Sequence, residues 1–176
     1  MREFKYVGII GLIGCLTLML ACNHEAPLAE PQGHAIDTRV LGTWTALNEH
    51  GEVGPKADQI TIYPFGKQAY MIIDHGRSPQ YFRAYPIRVS GVECVQLELL
   101  AEVDEERHLK ETKDEDKTPK PFMVVKYELK DGKLLVRYLN PDLAGEDLGT
   151  TKSLQKAFKE NVENPNLFVE PTTYIR

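Results

Sequence analysis

Asp131-Gly132 separates two runs in which apolar and polar residues alternate, and a two-residue turn at that dipeptide leaves a single strand register. It pairs Lys130 with Lys133, Leu129 with Leu134, Tyr127 with Val136 and Val125 with Tyr138. One face then collects Met123, Val125, Tyr127, Leu129, Leu134, Val136 and Tyr138, and the other Lys126, Glu128, Lys130, Lys133 and Arg137. A slip of one residue would send the whole apolar set into water, so this hairpin constrains the fold more tightly than any other segment.

Short apolar runs punctuated by turn residues recur on both sides of it, at residues 40–48, 60–63, 69–74, 81–89, 93–100 and 168–175. With the two strands of the hairpin these make about eight strands, the spacing of an antiparallel all-β sandwich or barrel. One helix is predicted, over 151–162. Leu154, Ala157, Phe158 and Val162 recur there at intervals of three and four opposite Lys152, Gln155, Lys156, Lys159 and Glu160, and Asn164-Pro165 stops it. Its apolar face is expected to pack on the domain, across a barrel opening.

The hairpin around Ser90-Gly91 admits two registers. A two-residue turn sets Arg88 against Glu93 and places Pro86 and Ala84 opposite Val95 and Leu97. A three-residue bulged turn places Ile87 and Tyr85 there instead, and its aromatic and β-branched pairs favour it. In that register Arg83 and Tyr85 face inward beside Met123, Tyr127 and Tyr138, and these five are the expected lining of a ligand cavity. Barrels of about eight strands either fill with side chains or enclose one small ligand. Residues 101–121 mix acidic and basic side chains too densely for a packed core and read as a solvated loop.

The N-terminus carries an address. Arg2 and Lys5 precede an apolar stretch from Val7 to Ala21 that suits a secretory signal and is short for a membrane span. Leu18-Met19-Leu20-Ala21-Cys22 resembles a bacterial lipoprotein signal; Leu12-Ile13-Gly14-Cys15 matches the local pattern too, but would leave an apolar tail from Leu16 to Ala21. The resemblance implies cleavage after residue 21, then a diacylglycerol on the Cys22 thiol and a further acyl chain such as palmitate on its amine. Multiple acyl chains make a stable anchor where one chain binds only marginally. Asn23, rather than Asp, after that cysteine implies the outer membrane, facing the periplasm. Residues 22–38, with Pro27, Pro31 and Gly33, read as the lipidated N-terminus and a flexible tether, and 39–176 as one domain.

Loss of Arg2, Lys5 and Glu3 with the signal takes the formal charge from −5 to −6, and no basic stripe with aromatics is present, so nucleic acid is not an expected partner. Once Cys15 leaves and Cys22 is acylated, Cys94 has no intrachain partner and reads as a small buried apolar group.

Gly42-Thr43-Trp44 in the first strand, followed by successive hairpins, resembles the lipocalin type of up-and-down β-barrel. That resemblance implies a basic residue packed over Trp44, and Arg176 reaches it if the last strand pairs with the first. The helix here precedes the last strand, whereas the main lipocalin helix follows the barrel. The tail Asn164-Pro165-Asn166-Leu167-Phe168 with Tyr174-Ile175-Arg176 is similar to the ending of uncharacterised bacterial lipoproteins.

No metal-site spacing links His24, His34, His50, His75 and His108, and no nucleophile elbow, phosphate loop or dinucleotide fingerprint occurs. Asp74-His75-Gly76 reads as a turn at a strand end. The expected function is a non-catalytic envelope lipoprotein without metal or cofactor, binding a small apolar or amphipathic ligand in its barrel. The alternative is a protein-interaction module with a filled barrel, and the third reading an unrecognised hydrolase.

Overall fold

The computed structural model describes residues 24–55, 57–104, 106, 108–112, 122–144, 149–169 and 171–176. Cys22, the signal segment and residues 113–121 of the charged loop lie outside the described residues. Among the described residues nine strands form: β1 (Gly42–Ala46), β2 (Gln59–Pro64), β3 (Tyr70–Asp74), β4 (Gln80–Val89), β5 (Val92–Val103), β6 (Leu109–Glu111), β7 (Phe122–Lys130), β8 (Lys133–Tyr138) and β9 (Thr172–Ile175). The sheet runs β4-β3-β2-β1-β9-β8-β7-β5-β6, and β4 also pairs with β5. All but β6 therefore close into an eight-stranded antiparallel up-and-down barrel. β6 is a short hairpin arm on the far half of β5, pairing Ala101 with Glu111 and Val103 with Leu109, inside the stretch read as a solvated loop.

The β7–β8 register is the one its alternation dictates: Lys130 faces Lys133 and Val125 faces Tyr138 across Asp131 and Gly132, both at positive φ. Ser90 and Gly91 also adopt positive φ, so β4 and β5 join by the two-residue turn, with Val89 opposite Val92, Ile87 opposite Cys94 and Tyr85 opposite Gln96. Phe82, Ala84, Val95 and Leu97 consequently point into the barrel with Trp44, Ile62, Tyr70, Met123, Val125, Leu134 and Tyr174. The bulged register, with Arg83 and Tyr85 inward, is overturned. Both parities of β4 and β5 are rich in apolar side chains, so pair preference alone does not identify the inward face.

The outward parity is buried as well. Tyr85, Ile87, Cys94 and Val124 form a second core with Leu154 and Phe158 of the helix Thr151–Glu160. That helix, capped by Thr150, lies on the outer wall of β4, β5 and β7, not across an opening. The same wall holds the N-terminal strap. His24 bridges Phe122 through reciprocal backbone hydrogen bonds of 2.7 and 2.8 Å, and Leu28 and Ala29 are buried at 0% and 5% exposure. Gln96, fully buried, accepts the Leu28 and Ala29 amides and donates to Ala29 O and the Tyr85 hydroxyl. Gln155 donates to Leu28 O, and Gln32 exchanges hydrogen bonds with the backbone of Arg88. Residues 24–32 are thus packed along the barrel, where composition suggested a free tether; one apolar pair, Leu28-Ala29, and one buried amide outweigh Pro27, Pro31 and Gly33.

β9 pairs with β1, Thr45 against Ile175 and Ala46 against Tyr174. This closure brings the Arg176 guanidinium carbon 4.7 Å from the Trp44 ring centroid, while its Nη2 donates to the carbonyls of Arg39 and Leu41. The indole N–H donates to Val40 O at 2.8 Å, tying the turn Thr38–Val40 beneath the barrel. A double-mutant cycle of Trp44→Phe and Arg176→Ala in urea unfolding is expected to show about 0.5 to 1 kcal/mol of coupling. Strictly additive losses would contradict the contact.

Candidate functional site

The five residues expected to line a ligand cavity divide by parity. Met123, Tyr127 and Tyr138 face the barrel interior. Arg83 and Tyr85 stand outside: Arg83 pairs with the nearly buried Glu98 at 2.5 and 3.0 Å, and Tyr85 lies under the strap on Gln96. The interior is largely filled by Trp44, Phe82, Tyr174 and the aliphatic strand residues, leaving a cavity of about 80 Å³. Small-molecule sites commonly occupy about 300 to 1,000 Å³, several times the room left inside the barrel.

A larger space lies beneath it. Between residues 34–39 and the adjoining ends of β4, β5 and β7 is a cleft of about 630 Å³. Arg88 and Glu93 form an ion pair on one side of it, and Tyr127, Glu128 and Leu129 contribute on the β7 side. Tyr70, Tyr127 and Val95 line both the cleft and the inner cavity, and so form the partition between them.

That partition is hydrogen-bonded to the turn that closes the barrel. The Asp37 amide donates to the Tyr70 hydroxyl at 2.7 Å, and the Tyr127 hydroxyl donates to Asp37 Oδ2 at 3.3 Å. Arg39 grips the Asp37 carboxylate through Nε and Nη2, at 2.9 and 2.7 Å, and the same carboxylate caps the turn by accepting the Arg39 amide. The Arg39 hydrogen bonds hold the Asp37 carboxyl below the usual range, whereas burial pushes the Tyr70 and Tyr127 phenols upward. Asp37 therefore stays a carboxylate and both phenols stay protonated at neutral pH. Such groups can orient a ligand by hydrogen bonding; they supply no base poised near neutrality.

At the other end of the cavity Asp74 faces inward beside Tyr138 and Tyr174. Its Oδ1 accepts the Gly76 amide at 2.9 Å, the turn the sequence implied. His75, one residue on, faces the opposite way and shares a hydrogen bond with Thr61 Oγ1 at 2.8 Å, so the two do not form an acid–base pair. Among the described residues no group of three or more His, Cys, Asp or Glu is placed to hold a metal ion. Cys94 sits in the second core, where burial pushes its thiol up to about 12.

Three residues of this region were not singled out in the sequence. Gln96 carried a signal, a lone amide within the apolar strand Val95-Gln96-Leu97. Asp37 and Tyr70 carried none, because their partnership joins a closing turn to a strand far along the chain.

Burial raises the Asp74 pKa above its ordinary 3.8, with neighbouring Asp58 adding to the rise and the Gly76 amide opposing it. A carboxyl whose folded pKa is raised favours folding most below 3.8 and loses that contribution as pH rises through the folded value. Asp74→Asn, which keeps an acceptor for Gly76, should therefore raise Tm relative to wild type more at pH 7 than at pH 3. An equal shift at both, or a larger gain in acid, would contradict this placement.

Comparison with protein-family models, with curated proteins and with solved structures found no match for the chain.

Proposed function

We propose that this protein is a lipid-anchored envelope protein of the outer membrane, facing the periplasm, with a non-catalytic role in holding a small amphipathic ligand. The Cys22 signal pattern supports the anchoring. The observation that carries the binding role is the meeting of a cleft of about 630 Å³ with an apolar cavity of about 80 Å³ across Tyr70, Tyr127 and Val95. An amphipathic molecule would set its apolar part against Tyr70, Tyr127 and Leu129 and its polar part among Asp37, Arg39, Arg88 and Glu93. The ligand thus sits at the closed end of the barrel rather than within it, since the interior has little room.

A protein-interaction role is the second reading, favoured by one observation. Among the described residues β6 ends the sheet and presents Leu109 at 57% exposure, an arrangement suited to accepting a further strand.

Native mass spectrometry of the chain from Asn23 onward, incubated with an envelope lipid extract, separates the two. A retained small molecule whose affinity falls at least about tenfold in Leu129→Trp, a substitution that fills the cleft, is the expected result. An apoprotein that takes up nothing would overturn the ligand-binding role. Capture of an envelope protein that is lost when residues 104–121 are trimmed would then establish the second reading.

A further inference from the structure

Surface chemistry and chain path make opposite assignments of the end of the barrel that meets a membrane. The rim where β5 ends and β7 begins is acidic on balance, with Glu49, Glu52, Asp104 and Glu106 set against Arg77 and Lys110, the latter 3.4 Å from Asp104, around exposed Val53 and Leu109. The opposite rim, beside the cleft, is basic on balance, with Lys67, Lys130, Lys133 and Arg176 beyond the paired Arg39–Asp37 and Arg88–Glu93 and against Asp131 and Glu128, and it carries the exposed aromatics Tyr63 and Phe65 at 51% and 52%. Aromatic and basic side chains suit an anionic lipid interface, so surface chemistry alone would set the cleft end on the bilayer.

The strap dictates the reverse. It starts at the acidic rim, where His24 is bridged to Phe122, the first residue of β7. From there it descends past Gln96 to Gln32 at Arg88, meets the β2–β3 connection where the Ile36 amide donates to Lys67 O, and tucks Asp37 under the barrel. Only Asn23 lies between His24 and Cys22. Two residues of extended chain span at most about 7 Å, too little to carry the anchor around the domain. Passage to the other rim covers on the order of 20 Å, given about 3.3 Å per residue along β7 and the tilt of barrel strands.

We infer that the docked strap holds the acidic rim, with Val53 and Leu109, against the lipid surface and turns the cleft at Tyr70, Tyr127 and Arg88 away from the anchoring membrane. This rests on the lipid anchoring of Cys22 proposed above. A ligand would then enter from the aqueous side, and no transfer directly between the anchoring bilayer and the cleft would occur while the strap is docked.

Depth-dependent quenching tests it. The full chain, processed and lipidated in a bacterial envelope and purified, is reconstituted in vesicles of phosphatidylethanolamine and phosphatidylglycerol with nitroxide-headgroup lipid. It carries a fluorophore on Val53→Cys or on Phe65→Cys; native Cys94 is spared by its burial, with its thiol at about 12. Quenching at position 53 at least about threefold stronger than at position 65 is expected, given the steep fall of such contact quenching over a barrel height. Stronger quenching at position 65, or equal quenching at both, in a chain whose intact mass includes the acyl groups would overturn the orientation alone. An intact mass without acyl groups would overturn the anchoring, and the orientation with it.

Discussion

The outer wall formed by β4, β5 and β7 cannot face water, and that requirement organises the rest of the molecule. Tyr85, Ile87, Cys94 and Val124 project outward from strands whose other parity already fills the barrel. A large exposed apolar patch of this kind marks an interface or an aggregation hazard, so it must be covered. The chain covers it twice, with Leu154 and Phe158 of the helix and with Leu28 and Ala29 of the strap. Burying Leu28 alone contributes about 2 kcal/mol. Gln96 makes this cover specific, because each strap amide left without its acceptor in that dry position would cost about 1 to 3 kcal/mol.

The strap then continues into the closed end of the barrel, linking the covered outer wall to the cleft. At Asp37 it is hydrogen-bonded to Tyr70 and Tyr127 of the partition, and the turn that follows is held by the indole N–H of Trp44 and by Arg176. The cleft is therefore bounded by parts far apart in sequence, residues 34–39 on one side and the ends of β4, β5 and β7 on the other. The N-terminal segment that packs along the outer wall thus also supplies one wall of the cleft.

What the sequence revealed and what it concealed follows from how local each constraint is. The β7–β8 hairpin was legible pair by pair, since Asp131-Gly132 fixes the turn and alternation fixes the faces. The helix at Thr151–Glu160 and the approach of Arg176 to Trp44 were legible too, the first from 3.6-residue periodicity and the second from the lipocalin resemblance. The β4–β5 register was not, because the burial of Tyr85 and Ile87 depends on a helix and a strap supplied by remote parts of the chain. The strap was hidden for the same reason: proline and glycine are visible locally, whereas the site that receives Leu28 and Ala29 exists only after the barrel has folded. Of the cavity-lining residues, those on the well-determined hairpin faced inward, and those on the ambiguous one did not.

Amide hydrogen exchange at Leu28 and Ala29 in the full chain tests the docked strap most directly. The account predicts exchange slowed by about two orders of magnitude or more relative to an unstructured peptide, with that protection lost in Gln96→Ala while the β7–β8 amides stay protected. Exchange at unstructured rates in the wild-type chain would contradict it, and would return residues 24–32 to the status of a free tether.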